Sequence, residues 1–204
     1  MTAPARTGRL VVLEGIDGAG TTTQGQRLET TLTARGRDVH LTREPTTGPI
    51  GRLLREYLAG RHHPSDATTL ALLFAADRAD HLAREIEPAL ARGALVITDR
   101  YYHSSLAYQG TGEDRDFIRT INRRARRPDL TLFLEVPVEI AAARRAADAR
   151  PDELFDHLET QRAIAIGYRA ALAALASEEQ IVHLDGTQSL DQVADAILSR
   201  VLSL

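Results

Sequence analysis

The segment Glu14-Gly15-Ile16-Asp17-Gly18-Ala19-Gly20-Thr21-Thr22-Thr23 constrains this chain more than any other, because it joins the apolar run Leu10–Leu13 to a helix-forming stretch. Glycines at 15, 18 and 20 let the backbone curl so that successive N–H groups point inward. A helix opening directly afterwards adds its partial positive charge, and the two together make an anion cradle. The spacing matches the phosphate-binding pattern G-x-x-x-x-G-K-[ST] with one departure. Gly15, Ile16, Asp17, Gly18, Ala19, Gly20, Thr21 and Thr22 are therefore expected to wrap nucleotide phosphates, with the Thr22 hydroxyl placed to ligate magnesium. Thr21 stands where the pattern carries lysine. Removing one electrostatic donor from such a site costs about 10²–10³ in rate, so either other cations compensate or the loop binds without catalysing. An ordinary tight strand-to-helix connection is the plain alternative.

Short runs rich in Val, Ile and Leu alternate with longer Ala/Leu/Arg-rich segments, as parallel strands alternate with crossover helices. The pattern predicts strands at Leu10–Leu13, Val39–Thr42, Leu95–Thr98, Leu130–Leu134 and Ile181–Leu184. It predicts helices at Thr22–Arg35, Gly51–Ala59, Ala67–Arg92, Arg115–Ala125, Val138–Asp148, Leu154–Leu175 and Leu190–Leu202. The runs are apolar almost throughout, which implies a sheet covered on both faces. The expected fold is α/β, a P-loop NTPase-type three-layer sandwich with a five-stranded parallel sheet flanked by helices. At 204 residues and 43% hydrophobic, residues 1–204 form most simply one domain. The polar, proline-containing break around 148–156 is its candidate lid.

With a net charge of -3, no global basic field recruits nucleic acid, and any anion site must be local. Absence of cysteine excludes disulfides, thiolate metal sites and a cysteine nucleophile. No stretch approaches the roughly 20 apolar residues that span a bilayer. The expectation is a cytoplasmic protein without nucleic-acid or membrane partners.

Four further groups accompany the turn. Arg43, in Thr42-Arg43-Glu44-Pro45, follows the second predicted strand, at the sheet edge where open α/β folds bind ligands; alone it reads as a strand-end charge paired with Glu44. Phe74 and Arg78 share one helix face, where a base could stack on one and hydrogen-bond the other, although a single Phe on such a face is usually core. Asp99 and Arg100 end the third predicted strand, the carboxylate suited to hydrated Mg²⁺ and the guanidinium to phosphate. Arg144, Arg145 and Arg150 straddle the polar break and are the best substitutes for the missing lysine, or else a solvated basic face. His62 and His63 have no partner at metal-ligand spacing.

Together, the glycine turn with Asp17, Arg43-Glu44-Pro45, Phe74 with Arg78, and Asp99-Arg100-Tyr101 running on to Ala107-Tyr108-Gln109-Gly110 resemble the thymidylate kinase family. Arg127-Pro128-Asp129-Leu130-Thr131-Leu132, Gly167-Tyr168 and Asp185-Gly186-Thr187-Gln188 extend the resemblance over nearly the whole chain. It implies transfer of the ATP γ-phosphate to dTMP, giving dTDP and ADP, with Mg²⁺ and a homodimeric assembly. By position it implies that Asp17 contacts the acceptor's 3′-hydroxyl, Phe74 stacks on thymine and Arg78 bonds the thymine carbonyl. Tyr108 lies beside the 2′ carbon, Ser104 and Gln109 line the thymine pocket, Arg43 and Arg100 hold the acceptor phosphate, Arg144 approaches adenine and Asp99 supports magnesium. The lid departs from the family's Asp-Arg followed by an acidic residue, reading Ala149-Arg150-Pro151-Asp152-Glu153-Leu154-Phe155-Asp156. Arg150 is the residue expected to fill the charge vacated at position 21. The competing readings are another deoxynucleoside or nucleoside-monophosphate kinase, and a noncatalytic nucleotide-binding protein.

Overall fold

The computed structural model describes residues 8–61, 66–111, 113–147 and 153–204. His62, His63, Arg150 and the lid positions 148–152 lie outside the described residues. Five strands form one parallel sheet: β1 (Arg9–Glu14), β2 (Val39–Arg43), β3 (Leu95–Asp99), β4 (Leu130–Glu135) and β5 (Ile181–Asp185), in the order β2-β3-β1-β4-β5. Each predicted strand is present with its ends moved by at most one residue. Nine α-helices are seen among the described residues: α1 (Thr21–Ala34), α2 (Pro49–Leu58), α3 (Ala67–His81), α4 (Glu87–Ala91), α5 (Tyr102–Tyr108), α6 (Arg115–Asn122), α7 (Val138–Ala147), α8 (Leu158–Leu175) and α9 (Leu190–Leu202).

Alternation along β1 explains its unbroken apolarity. Val11 and Leu13 pack with Leu28, Leu32, Ile164 and Ile197 on one face, while Leu10 and Val12 pack with Ile86, Leu90 and Ile118 on the other. Successive strand side chains point to opposite faces, so a central strand under two helical layers must be apolar at every position. Burying each such Leu or Val contributes roughly 1.5–3 kcal/mol against leaving it exposed. The edge strands β2 and β5 are only partly buried.

The helices depart from expectation in three places, each with a physical cause. Ala67–Arg92, expected as one helix, passes through a π turn at Leu82–Ile86 before α4. Pro88 has no N–H to give the carbonyl four residues back and its ring would clash there, so the ladder widens around it. The segment expected to start α8 at Leu154 instead forms a turn, in which Glu153 N–H donates to the Asp156 carboxylate at 2.7 Å and Leu154 N–H to the Leu58 carbonyl at 2.9 Å. Helix α5 is not expected at all from its Tyr- and Ser-rich sequence, whose helix propensity is weak. It forms because Glu14, at the end of β1, accepts the N–H groups of Tyr101 at 2.8 Å and Ser104 at 3.2 Å. That carboxylate caps a helix some 90 residues away, where its negative charge also suits the helix N-terminus.

Helices α5 and α8 meet at Gly167. A Cβ there would sit 2.5 Å from the Ala107 carbonyl oxygen, closer than any side chain can approach backbone. Gly167→Ala is expected to force the helices apart, costing about 1–3 kcal/mol as an overpacked core does. Thermal unfolding should then show a midpoint lowered by roughly 3–10 °C.

Candidate active site

All five strands end on a charged residue at the same sheet edge: Glu14, Arg43, Asp99, Glu135 and Asp185. In open parallel sheets this carboxyl edge is where ligands bind, at the point where successive connections diverge, here between β1 and its neighbours β3 and β4. The glycine turn runs along this edge from β1 into α1. Gly18 and Gly20 have φ of 87° and 97°, a region open to glycine but strained for other residues. No side chain caps α1, so its first N–H groups remain for an anion. Beneath the turn, the Arg145 guanidinium donates to the Asp17 carbonyl and pairs with the Asp156 carboxylate at 3.3 Å. Helix α7 packs so tightly that a Cβ on Gly18 would meet the Ala141 carbonyl oxygen at 2.4 Å.

Arg100 follows β3 with φ of 71°, a left-handed conformation that a non-glycine residue adopts only where the surroundings hold it. Its Nη2 donates to Asp17 at 2.7 Å, and its Nη1 reaches the Gly15 carbonyl at 3.0 Å and the Tyr168 hydroxyl at 3.1 Å. Burial disfavours its charge, but Tyr108, Asp17, Tyr168 and Asp99 outweigh that and raise its pKa further, so it stays a cation. Asp17 also accepts from the Tyr108 hydroxyl at 3.0 Å and from Gln161 Nε2 at 2.7 Å. Of roughly four lone-pair sites on this carboxylate, three are occupied and one is left for a ligand hydroxyl.

A cavity extends from Asp17 and Arg100 between α3, α5 and the Glu153–Asp156 turn, and Phe74, Arg78, Ser104, Tyr108 and Gln109 all line it. Arg78 is almost fully buried. It donates from Nε to Glu44 at 2.9 Å and from Nη1 to Ser105 at 3.2 Å and to Asn122, and its Nη2 lies 2.6 Å from Glu44. Four of its five donor hydrogens are used, leaving one on Nη2. A guanidinium so held is a rigid, directional donor for a ligand carbonyl. Phe155, in the described part of the candidate lid, packs edge-on against Tyr108 with ring centroids 5.4 Å apart and closes the cavity.

A second cavity adjoins the first at the ends of β2 and β3, lined by Thr22, Arg43 and Asp99 among others. Arg43 lines this second cavity and Arg100 the first, although the sequence expectation gives both the same phosphate. The Thr22 hydroxyl donates to Asp99 Oδ2, and Asp99 Oδ1 is buried without a partner among the described residues. A buried carboxylate oxygen left unpaired beside a threonine hydroxyl at the turn is the donor set a hydrated Mg²⁺ takes, all hard oxygen. Arg144 bridges the Ala19 carbonyl at 3.5 Å and the Gly186 carbonyl at 2.9 Å, which puts it across the turn from Arg43.

Sequence reasoning gave no role to Glu14 or Gln161, and it included Phe155 only as part of the candidate lid at 148–156. Glu14 had a usable signal, a carboxylate closing an otherwise apolar strand; Gln161 and Phe155 had none. The chain also contains no lysine, all 25 of its Lys+Arg residues being arginine, so the change at position 21 belongs to a chain in which every side-chain cation but histidine is a guanidinium.

This fold and site define a P-loop phosphotransferase class: a glycine turn opening a helix at the sheet's carboxyl edge, a carboxylate with a free oxygen ending the neighbouring strand, and a cavity beside them. The Thymidylate kinase family model matches residues 13–197, and the chain belongs to that family. It is similar to the "Probable thymidylate kinase" of Pyrococcus abyssi, 42% identical over 200 residues that cover 95% of this chain and 96% of the relative. The "Probable thymidylate kinase" of Pyrobaculum aerophilum is 41% identical, covering 90% and 91%. The "Thymidylate kinase" of Methylobacillus flagellatus is 40% identical, covering 94% and 95%.

Behind the site, His103 lies buried with Nε2 2.8 Å from Glu179 and Nδ1 3.7 Å from Glu14. Burial works against all three charges, yet their mutual bonds win: His103 is raised above 6.5, and Glu14 and Glu179 are lowered below 4.5. A raised histidine contributes stability that is full below its unfolded value and lost as pH climbs through the folded one. Depressed carboxylates contribute stability that is lost as pH falls through their folded values. The stability advantage of the wild type over His103→Gln is therefore expected to be largest between pH 4.5 and 6.5 and to shrink above it, as urea midpoints measured across this range would show.

Proposed function

We propose that the protein transfers the γ-phosphate of ATP to dTMP, giving ADP and dTDP. The observation that carries this reading is the acceptor cavity. At one end Phe74 and the single free donor of Arg78 suit a planar base bearing a carbonyl; at the other, Asp17 and Arg100 lie against the phosphate turn. Membership of the thymidylate kinase family supports the same acceptor.

On this reading the glycine turn holds the donor phosphates on its N–H groups and the α1 terminus. Phe74 stacks on thymine, Arg78 Nη2 donates to its carbonyl, and Ser104 and Gln109 complete the pocket wall. Asp17 takes the 3′-hydroxyl on its remaining lone pair. Tyr108, held against Asp17 by its hydroxyl, fills the space a 2′-hydroxyl would need. Arg100 keeps two hydrogens, one on Nε and one on Nη2, for the acceptor phosphate. Thr22 and Asp99 would hold Mg²⁺, which neutralises charge on the donor phosphates when bound. No covalent intermediate is required: holding donor and acceptor phosphates in line, with water kept out by the Phe155 segment, supplies most of the rate. Arg144 sits on the far side of the turn, where an adenine would lie.

Coupled detection of ADP from ATP and Mg²⁺ with dTMP, dUMP, thymidine, CMP and AMP tests the proposal. Turnover is expected to be fastest with dTMP, and no dTMP-dependent ADP would overturn it.

The homodimer is proposed on a separate observation. Leu72 (46% exposed), Ala76 and Ala79 form an apolar stripe on the outer face of α3, spaced to meet a second helix closely. A second copy of the chain is the cover proposed for this face, as the family resemblance implies. Sedimentation is expected to give a dimer for the wild type and a monomer for Leu72→Glu.

A further inference from the structure

The turn lacks its lysine, and the question is which cation stands in. Most arginines around the turn are already committed. Arg100 is bound to Asp17 and the Gly15 carbonyl, and Arg145 to the Asp17 carbonyl and Asp156. Arg144 spans the Ala19 and Gly186 carbonyls, and Arg78 is held by Glu44 inside the acceptor cavity. Each could leave only by breaking bonds that shape the site.

Arg43 differs. Its backbone is in register with Asp99 across β2 and β3, and its exposed side chain lines the cavity that also contains Thr22 and Asp99. Among the described residues it makes no hydrogen bond or ion pair, and no other Lys or Arg lines that cavity. Glu85 lines the cavity too, but its carboxylate accepts from Thr42 at 2.9 Å and faces His40 at 3.5 Å. Arg55 lies close enough that burial and then the Arg43 charge both lower its pKa, while one donor on each of its two terminal nitrogens is tied to the Pro45 and Thr46 carbonyls. Two neighbouring guanidiniums, one with all five donors free, are an arrangement that an incoming phosphate relieves.

We infer that Arg43 supplies the cation the turn lacks, donating to the non-bridging oxygens of the transferred γ-phosphate rather than serving only the acceptor phosphate. The inference rests on the phosphotransfer reading above. In the step it assists, an acceptor phosphate oxygen bonds to the γ-phosphorus as the bond from that phosphorus to the β-bridging oxygen breaks, and the electron pair leaves on ADP. Arg43 gives up no proton; its hydrogen bonds strengthen as charge builds on the moving group. The change at position 21 is then a transfer of one charge from the head of α1 to the end of β2.

The test separates the two phosphates. Calorimetric titration of the full chain with Mg²⁺ and no dTMP compares β,γ-imido-ATP with ADP, which lacks the γ-group. Arg43→Ala is expected to weaken the imido analogue about tenfold and to leave ADP within about twofold, as loss of one charged contact to a single phosphate would. In turnover, Arg43→Ala should lower kcat by about 10²–10³, and adding Thr21→Lys to that variant should recover at least about tenfold. Unchanged discrimination between the imido analogue and ADP would overturn the inference, as would a rise confined to KM for dTMP. A greater loss of that discrimination in Arg150→Ala would assign the charge to the lid instead and overturn it equally. Failure of the wild type to turn over dTMP would sink the proposed function, yet the calorimetric comparison would still report on Arg43.

Discussion

The site depends on the Glu14 carboxylate. Fully buried at the end of the central strand, it caps α5 through Tyr101 and Ser104, accepts the Tyr168 hydroxyl of α8 at 2.8 Å and faces His103. An isolated ion in such a place would be prohibitive, and it survives because every approach to it is a donor or a cation. Ser104 and Tyr168, both bonded to Glu14, also bond Arg100, which holds Asp17. One buried charge therefore fixes helix α5, Arg100 after β3 and, through Arg100, Asp17 in the turn.

A second constraint is the way guanidinium groups share the work around the phosphate turn. Arg145 braces the turn through the Asp17 carbonyl, Arg144 through the Ala19 carbonyl and Arg100 through Asp17 and the Gly15 carbonyl, while Arg78 is held by Glu44 in the wall of the first cavity. Planar groups with five donors can bridge several carbonyls and still present a free edge, which a compact ammonium cannot. A chain without lysine can build a phosphate site this way if a guanidinium near the turn stays uncommitted, and among the described residues lining the cavity with Thr22 and Asp99, Arg43 is the arginine without a side-chain partner.

Much of this was legible in the sequence. The five strands were readable because each is a short run dominated by Val, Ile and Leu, most cleanly in the central β1, which is buried under two helical layers. The glycine turn was readable because its conformation needs residues without Cβ atoms. Helix α5 was not, since its start is stabilised by a carboxylate from another element and its own residues favour helix weakly. The π turn before Pro88 was hidden for a related reason, because periodicity continues through it while the ladder does not. At the site, residues in compact motifs such as Asp99-Arg100 were found, whereas Gln161 and Phe155 carry meaning only where their helix and turn dock.

By itself the sequence determined the sheet, the phosphate turn, the absent lysine and the family, because each is written in contiguous residues whose spacing obeys local backbone geometry. Tertiary structure alone decided which arginines are spent and which is free, since that depends on partners far apart in the chain. It set Arg43 and Arg100 along two different cavities and, among the described residues, left Asp99 with one oxygen unpaired. The physical reason is that a charge acts through distances and burial, and neither is encoded at any single position.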